Sequence, residues 1–401
     1  MYQRLQARRL RVLFVTCHLP YPAWSGGRLR EHELLRRLAA RHDLHVLAIS
    51  KTPREDERNR AVFERVLGPR ARVEVVCAGR GPRNGGPAQV ERHRSPVAAR
   101  RVAALLGDVD LVHCEGFYLA QHLPLEPPVP VVLAEQNVEF ALWRQRARTN
   151  GDVGCAREAH TTQAAELAAW RRADLVVAVT EDDRRAILAE EPTLDVRVVP
   201  DGADHLRPSR RRVKPAPATI LFVGNFAYEP NLDAARHLCD TIFPLVRREV
   251  PAARLLLAGN GPPEELVERA SSAVSFTGRV ARLEPYYDRA TVVACPLRVG
   301  GGIKVKMLEA LTRGKAIVST SIGVQGLDQA PVLVRDDPEE FAQAVARLLR
   351  DARARARLEA RARAYASRLP TWDEAAEKLA ACYEDAVVSS PGRSRAVSSR
   401  R

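Results

Sequence analysis

Along the chain, short runs of Val, Leu and Ile recur between longer stretches in which apolar positions return every three to four residues. The runs at 11–16, 44–49, 72–77, 110–114, 130–134, 174–179 and 195–199 have the length and β-branched content of buried strands. Amphipathic stretches at 28–41, 56–67, 155–172 and 181–190 predict helices between them. The alternation stops at 205–217, which is charged, punctuated by proline and without apolar periodicity. It resumes with strands at 219–223, 253–258, 274–276, 291–295, 316–319 and 332–335, and helices at 230–249, 262–270, 304–313 and 338–350. Such alternation is the mark of α/β layers on parallel sheets. The pattern therefore predicts two doubly wound, Rossmann-like domains, 1–204 and 218–366, joined by a linker at 205–217. They are expected to face each other across a cleft onto which the carboxyl ends of both sheets open.

Size and composition agree with two buried cores, since the chain has 401 residues and 46% of them are hydrophobic. The seven cysteines are scattered and form no Cys-x-x-Cys pair, which suits reduced thiols better than a disulfide framework or zinc site. The apolar run after the first arginines is too short for a signal peptide and ends at Cys17-His18-Leu19-Pro20. No stretch approaches the length of a membrane span. A cytoplasmic location is expected, free or peripheral at the inner face of the plasma membrane. The net charge of +14 raises nucleic acid as a partner, but with 5% aromatics and no finger or RNA-binding signature nucleic acid is not expected. Residues 389–401, rich in Ser and Arg, read as a disordered tail.

The most specific chemistry lies at Arg298-Val-Gly-Gly-Gly-Ile-Lys-Val-Lys-Met-Leu-Glu-Ala-Leu311. Three glycines follow an apolar strand and lead into a helix that carries Lys304, Lys306 and Glu309. A glycine turn lets backbone approach a bulky anion, and a helix N-terminus offers N–H groups and partial positive charge to phosphate. Glu309, about one turn in, is placed to accept hydrogen bonds from two neighbouring sugar hydroxyls. The run is neither a Walker A loop nor a dinucleotide fingerprint.

This run, with Gly314-Lys-Ala-Ile-Val-Ser-Thr320 after it, resembles the donor-site signature of family 4 glycosyltransferases of GT-B fold. The resemblance covers most of the chain. It includes Leu19-Pro-Tyr-Pro22 with Ser25-Gly-Gly-Arg28, Glu135-Gln-Asn-Val-Glu139, Val199-Pro-Asp-Gly-Ala-Asp204, and Phe222-Val-Gly-Asn-Phe226 with Pro230-Asn231. Many members carry a second glutamate eight positions before the one matching Glu309, and Gly301 stands there in this chain. The resemblance implies retention of anomeric configuration. It also implies a last helix, about 367–388, that returns to the first domain.

Glycosyl transfer needs charge on the leaving diphosphate stabilised. Lys304, Lys306, the backbone of Gly301, Gly302 and Ile303, Arg298, and the Gly26-Gly27 loop are the candidates. A group to take the acceptor's proton is expected at His113 and Glu115, where strand alternation puts both side chains on one face. His113 serves equally as a buried core histidine. Glu135 and Asn137, at the next strand's end, are candidates for positioning substrate, or for capping a loop. Asp108-Val-Asp110 imitates a metal site of another glycosyltransferase fold but precedes a strand, so no metal or other cofactor is expected.

The expected function is glycosyl transfer from a nucleotide diphosphate sugar to a glycan or lipid-linked acceptor. Two alternatives stand beside it, a nucleotide-sugar epimerase of the same architecture and a silent nucleotide-binding scaffold. The loop at 79–87 and the basic helix around Arg100 and Arg101 suit an anionic membrane surface as well as they suit solvent.

Overall fold

The computed structural model describes residues 9–79, 85–206 and 218–390. Residues 207–217 of the expected linker, 80–84 of the glycine-proline loop and 391–401 of the expected tail lie outside them. The chain divides into two units. Met1–Ala23, Gly27–Pro200 and Trp372–Arg401 make the first; Trp24–Gly26 and Asp201–Thr371 make the second.

The first unit is built on β1 (Arg11–Thr16), β2 (Asp43–Ser50), β3 (Ala71–Cys77), β4 (Leu111–Glu115), β5 (Val131–Glu135), β6 (Leu175–Ala178) and β7 (Val196–Val198). They form one sheet in the order β3-β2-β1-β4-β5-β6-β7, with every pair parallel. Alternation along β1 explains why the sheet is covered on both faces. Val12 and Phe14 enter one core cluster, Leu13 and Val15 the other. Trp372, Ala375, Ala376, Leu379, Ala380 and Tyr383 of the helix Trp372–Ser389 fill the Phe14 side, at the spacing of one helix face.

The second unit has β8 (Thr219–Val223), β9 (Arg254–Ala258), β10 (Val274–Phe276), β11 (Val292–Cys295), β12 (Ile317–Ser319) and β13 (Leu333–Val334). Their order is β10-β9-β8-β11-β12-β13, again parallel. In both sheets the strand order reverses beside the first strand, at β1/β4 and at β8/β11. In open α/β sheets ligands bind at the carboxyl ends beside such a switch point. Gly259, just after β9, has φ of 146°, and a Cβ there would lie 1.8 Å from the Gly224 carbonyl oxygen. Only glycine permits that approach of the two strand ends.

Several sequence expectations are corrected. Gly26 and Gly27 open the helix Gly26–Arg41 rather than forming a loop before it. The first turn tolerates them because its N–H groups have no intrahelical partner. The expected helix 230–249 is three segments, Glu229–His237, the π-turn Leu238–Ile242 and Phe243–Glu249. Pro244 lacks the N–H that would continue an α-helical ladder there. Of the expected helix 262–270, Glu264–Val267 is helical. β4 runs one residue later than expected and takes in Glu115.

Candidate functional site

In the first unit, β4 places His113 and Glu115 two residues apart on one face, and the side chains meet. His113 Nε2 stands 2.7 Å from Glu115 Oε2, while its Nδ1 stands 3.0 Å from the Tyr383 hydroxyl. The ring stacks on Phe14 at 4.2 Å and is fully buried. The Tyr383 O–H donating to Nδ1 and Nε2–H donating to the carboxylate make one consistent tautomer. Burial would raise the Glu115 carboxyl, but the hydrogen bond from His113, with the charge of Arg30, brings it below its ordinary value.

Gln136 extends the network. Its Nε2 donates to Glu115 Oε1 at 3.0 Å and reaches Glu31 Oε1 at 3.4 Å. A Cβ at position 27 would lie 2.6 Å from Gln136 Oε1, so Gly27 leaves room for this amide. Glu31 accepts from Thr16 Oγ1 at 2.5 Å and pairs with His18 Nε2 at 3.1 Å. Burial pushes its carboxyl up to about 7. His18 Nδ1 lies 3.1 Å from the Cys17 sulfur. Sequence reading missed Glu31, Gln136, Cys17, His18 and Tyr383 as members of this network. Gln136 stands inside the quoted Glu135–Glu139 motif, which was the available signal.

Glu135 faces the other way. Its Oε1 accepts the Trp170 indole N–H at 2.9 Å, and burial followed by the nearby Glu166 charge pushes its carboxyl well up. Asn137 hydrogen-bonds Glu139, whose carboxyl burial pushes up to about 7. Glu166 accepts the backbone N–H groups of Glu139 and Phe140, both at 2.8 Å, and so caps the helix Glu139–Asn150. Glu135 and Asn137 are thus not brought to the His113–Glu115 pair. Asp110 holds Arg11 through its backbone N–H and guanidinium, at 2.9 and 2.8 Å, tying the starts of β1 and β4.

In the second unit the glycine run follows β11. Gly302 has φ of 58°, in the left-handed region, and the helix Val305–Thr312 begins three residues on. Lys304 is the residue before that helix. Its ammonium donates to the carbonyls of Gly301 and Gly302, at 3.0 and 2.7 Å, and to Gln325 Oε1 at 3.2 Å. It staples the loop that carries it. Ile303 is half-buried and packs on the core.

Lys306 sits in the first turn. Its Nζ donates to Asn231 Oδ1 at 2.5 Å and lies 4.6 Å over the Phe222 ring. Burial lowers its pKa, against the charges of Cys295 and Glu309. Asn231 Nδ2 in turn donates to the Asn225 carbonyl at 3.0 Å. The Phe222–Phe226 and Pro230-Asn231 segments therefore converge on Lys306. Arg298 stands apart, 46% exposed and ion-paired with Asp233.

Glu309 is buried, and both carboxylate oxygens are engaged. Oε2 accepts the Tyr287 hydroxyl at 2.7 Å, and Oε1 lies 3.2 Å from His205 Nε2. Burial, followed by the Glu309 charge, pushes the Tyr287 phenol well up, so it remains a donor. Neither Tyr287 nor His205 was singled out from sequence.

Residues 217–351 match the family model described as Glycosyl transferases group 1. A GDP-mannose-dependent alpha-(1-6)-phosphatidylinositol monomannoside mannosyltransferase of Mycobacterium tuberculosis is 30% identical over 159 residues, which is 35% of this chain and 41% of that protein. The chain thus spans less than half the length of the curated relatives it matches. Among solved structures, sucrose-phosphate synthase from Thermosynechococcus elongatus superposes with a TM-score of 0.73 at 18% identity, covering 95% of this chain and 100% of that one. HepE from Anabaena, in complex with UDP and glucose, gives 0.68 at 16%, covering 94% and 100%. At such identity these two establish the fold alone. Residues 217–351 are a glycosyl transferase group 1 domain, and the chain that carries them has the GT-B fold.

Proposed function

We propose that the protein transfers a glycosyl group from a nucleoside diphosphate sugar to an acceptor hydroxyl. The observation that carries this reading is a pair in the second unit, half-buried Lys306 in the first helical turn and buried Glu309 one turn later. The helix N-terminus and Lys306 suit a diphosphate, and a carboxylate fixed on both oxygens suits the vicinal hydroxyls of a ribose. Lys304 orders the glycine loop whose backbone would meet the phosphates. The UDP-bound HepE structure and the GDP-mannose-dependent relative support a nucleotide-sugar donor.

In the first unit, the His113–Glu115 pair is the proposed acceptor-side acid/base group. Retention of configuration follows from the family 4 resemblance. The lipid named as the mycobacterial enzyme's substrate supports a lipid-linked acceptor. Among the described residues no helix is long and apolar enough to cross a membrane. A lipid-linked acceptor would then be met from the surface, through Arg100 and the exposed Val97 of the helix Pro96–Leu105. Arg101 is committed to Glu74 at 2.8 Å. Binding to anionic vesicles that exceeds binding to neutral ones, and falls with salt, checks this.

A silent nucleotide-binding partner is the second reading, favoured by Gly301 at the position of the missing glutamate. A thermal-shift panel of nucleoside diphosphates and their sugars tests the donor site, since a ligand at 100 times its Kd stabilises by about 2.7 kcal/mol. No shift with any of them removes the donor reading. Donor binding without transfer to any hydroxyl acceptor favours the silent partner.

A further inference from the structure

His205 lies beyond β7, in a segment that the second unit holds against the helix of the glycine motif. The Ala203 carbonyl accepts from Thr312 Oγ1 at 3.0 Å, and the Ala203 N–H donates to the Pro370 carbonyl at 2.9 Å. These bonds fix the backbone two residues before His205 relative to Glu309. The His205 side chain is 6% exposed, and its Nε2 is 3.2 Å from Glu309 Oε1.

The terminal torsion of a glutamate is broad, so a single hydrogen bond to one oxygen leaves the carboxylate plane free to swing. The Tyr287 hydroxyl holds Oε2 and also lies 3.2 Å from the Lys306 carbonyl, so it is itself immobilised. A second donor on Oε1 is what defines the plane. Each carboxylate oxygen keeps acceptor capacity for one more donor, in the number that a vicinal diol requires. We infer that His205 is a positioning residue, whose Nε2–H fixes the plane of the Glu309 carboxylate for the two ribose hydroxyls of the donor. This rests on the reading of Glu309 as the diol acceptor given above.

The test separates the two. The amide of a glutamine falls where Nε2 of a histidine stands, and that of an asparagine falls where Nδ1 stands. His205→Gln, His205→Asn and Glu309→Gln are compared with the unmodified protein by calorimetric titration. The probes are UDP, GDP and their 2′-deoxy counterparts, and the quantity read is the ribose-to-deoxyribose ratio of affinities. Circular dichroism checks folding. His205→Asn should lower that ratio about tenfold, the scale of one hydrogen bond to a charged group, while His205→Gln keeps most of it. Equal ratios for the two histidine variants, whether both high or both low, overturn the inference and leave His205 as packing. If Glu309→Gln also leaves the ratio unchanged, the diol reading of Glu309 fails instead.

Discussion

The hydroxyl of Tyr383 stands 3.0 Å from Nδ1 of His113, a residue 270 positions earlier in the chain. Both groups are buried, so removing the hydroxyl leaves an imidazole nitrogen without its donor. Tyr383→Phe should lower stability by about 1–3 kcal/mol, the cost of an unsatisfied buried polar group. Urea unfolding followed by circular dichroism measures it. No loss would mean that His113 takes the other tautomer or turns to another partner.

Cys17 should be the most reactive thiol of the seven. Burial alone would raise it, but the charge and hydrogen bond of His18, with a further contribution from His93, bring it well below the ordinary thiol range. The sulfur is half-buried, whereas Cys114 and Cys295 are fully buried and pushed up. Alkylation by iodoacetamide, mapped by mass spectrometry, should label Cys17 ahead of the others. Below about pH 8 its rate should fall less steeply than that of an ordinary thiol, which slows roughly tenfold per unit. His18→Asn should restore the ordinary slope; an unaltered slope would show that His18 does not set it.

Glu166 should make the first unit less stable as pH rises. Burial lifts its carboxyl from the ordinary 4.5 to about 8 in the folded protein. The folded state therefore holds this proton more tightly than the unfolded chain. Its contribution is complete below about 4.5 and declines until pH passes about 8. Glu166→Gln keeps an acceptor for the helix it caps and loses the titration, so its stability should be flatter across that window. Denaturant unfolding at a series of pH values reads the difference, which accumulates at about 1.4 kcal/mol per pH unit and reaches roughly 4 kcal/mol by about pH 8. An equally steep decline in the variant would place the titration elsewhere.

Lys306→Ala should weaken nucleoside diphosphate binding far more than nucleoside binding. In turnover it should cost roughly 10²–10³ in rate, the scale of one lost stabiliser of developing charge. Equal losses for both ligands would remove Lys306 from the phosphate site and leave it as the partner of Asn231.

The strands were legible because parallel sheets covered on both faces need unbroken apolar runs, and β1 through β13 all fall within a residue or two of such runs. Helices were legible where apolar positions return at helical spacing. Ala352–Ala366 alternates Arg and Ala and buries only Leu358 and Ala362, so no apolar stripe announces it. In the candidate site, Lys304, Lys306 and Glu309 could be read together because one helix turn brings them close. Their partners could not. His205 is 104 positions from Glu309 and Tyr287 is 22 away, and Asn231 is 75 from Lys306. Local periodicity carries no information about such pairings, which the sheet order creates. Gly26 and Gly27 misled for a related reason: glycine marks a turn and a helix start alike.

Because Trp372–Ser389 packs on the face that holds Phe14, Leu34 and Phe63, the first unit draws its core from stretches that emerge from the ribosome far apart in time. At about 5–20 residues per second, synthesis of Asp201–Thr371 interposes on the order of ten seconds or more. Throughout that interval a wide apolar surface of the nascent first unit has no native cover. The second unit waits for nothing translated so late. It can complete its own core first, although translation of it starts after most of the first is made. A nascent chain halted before residue 372 would therefore be a client for a holding chaperone, and release of that client would track the appearance of the helix bearing Tyr383.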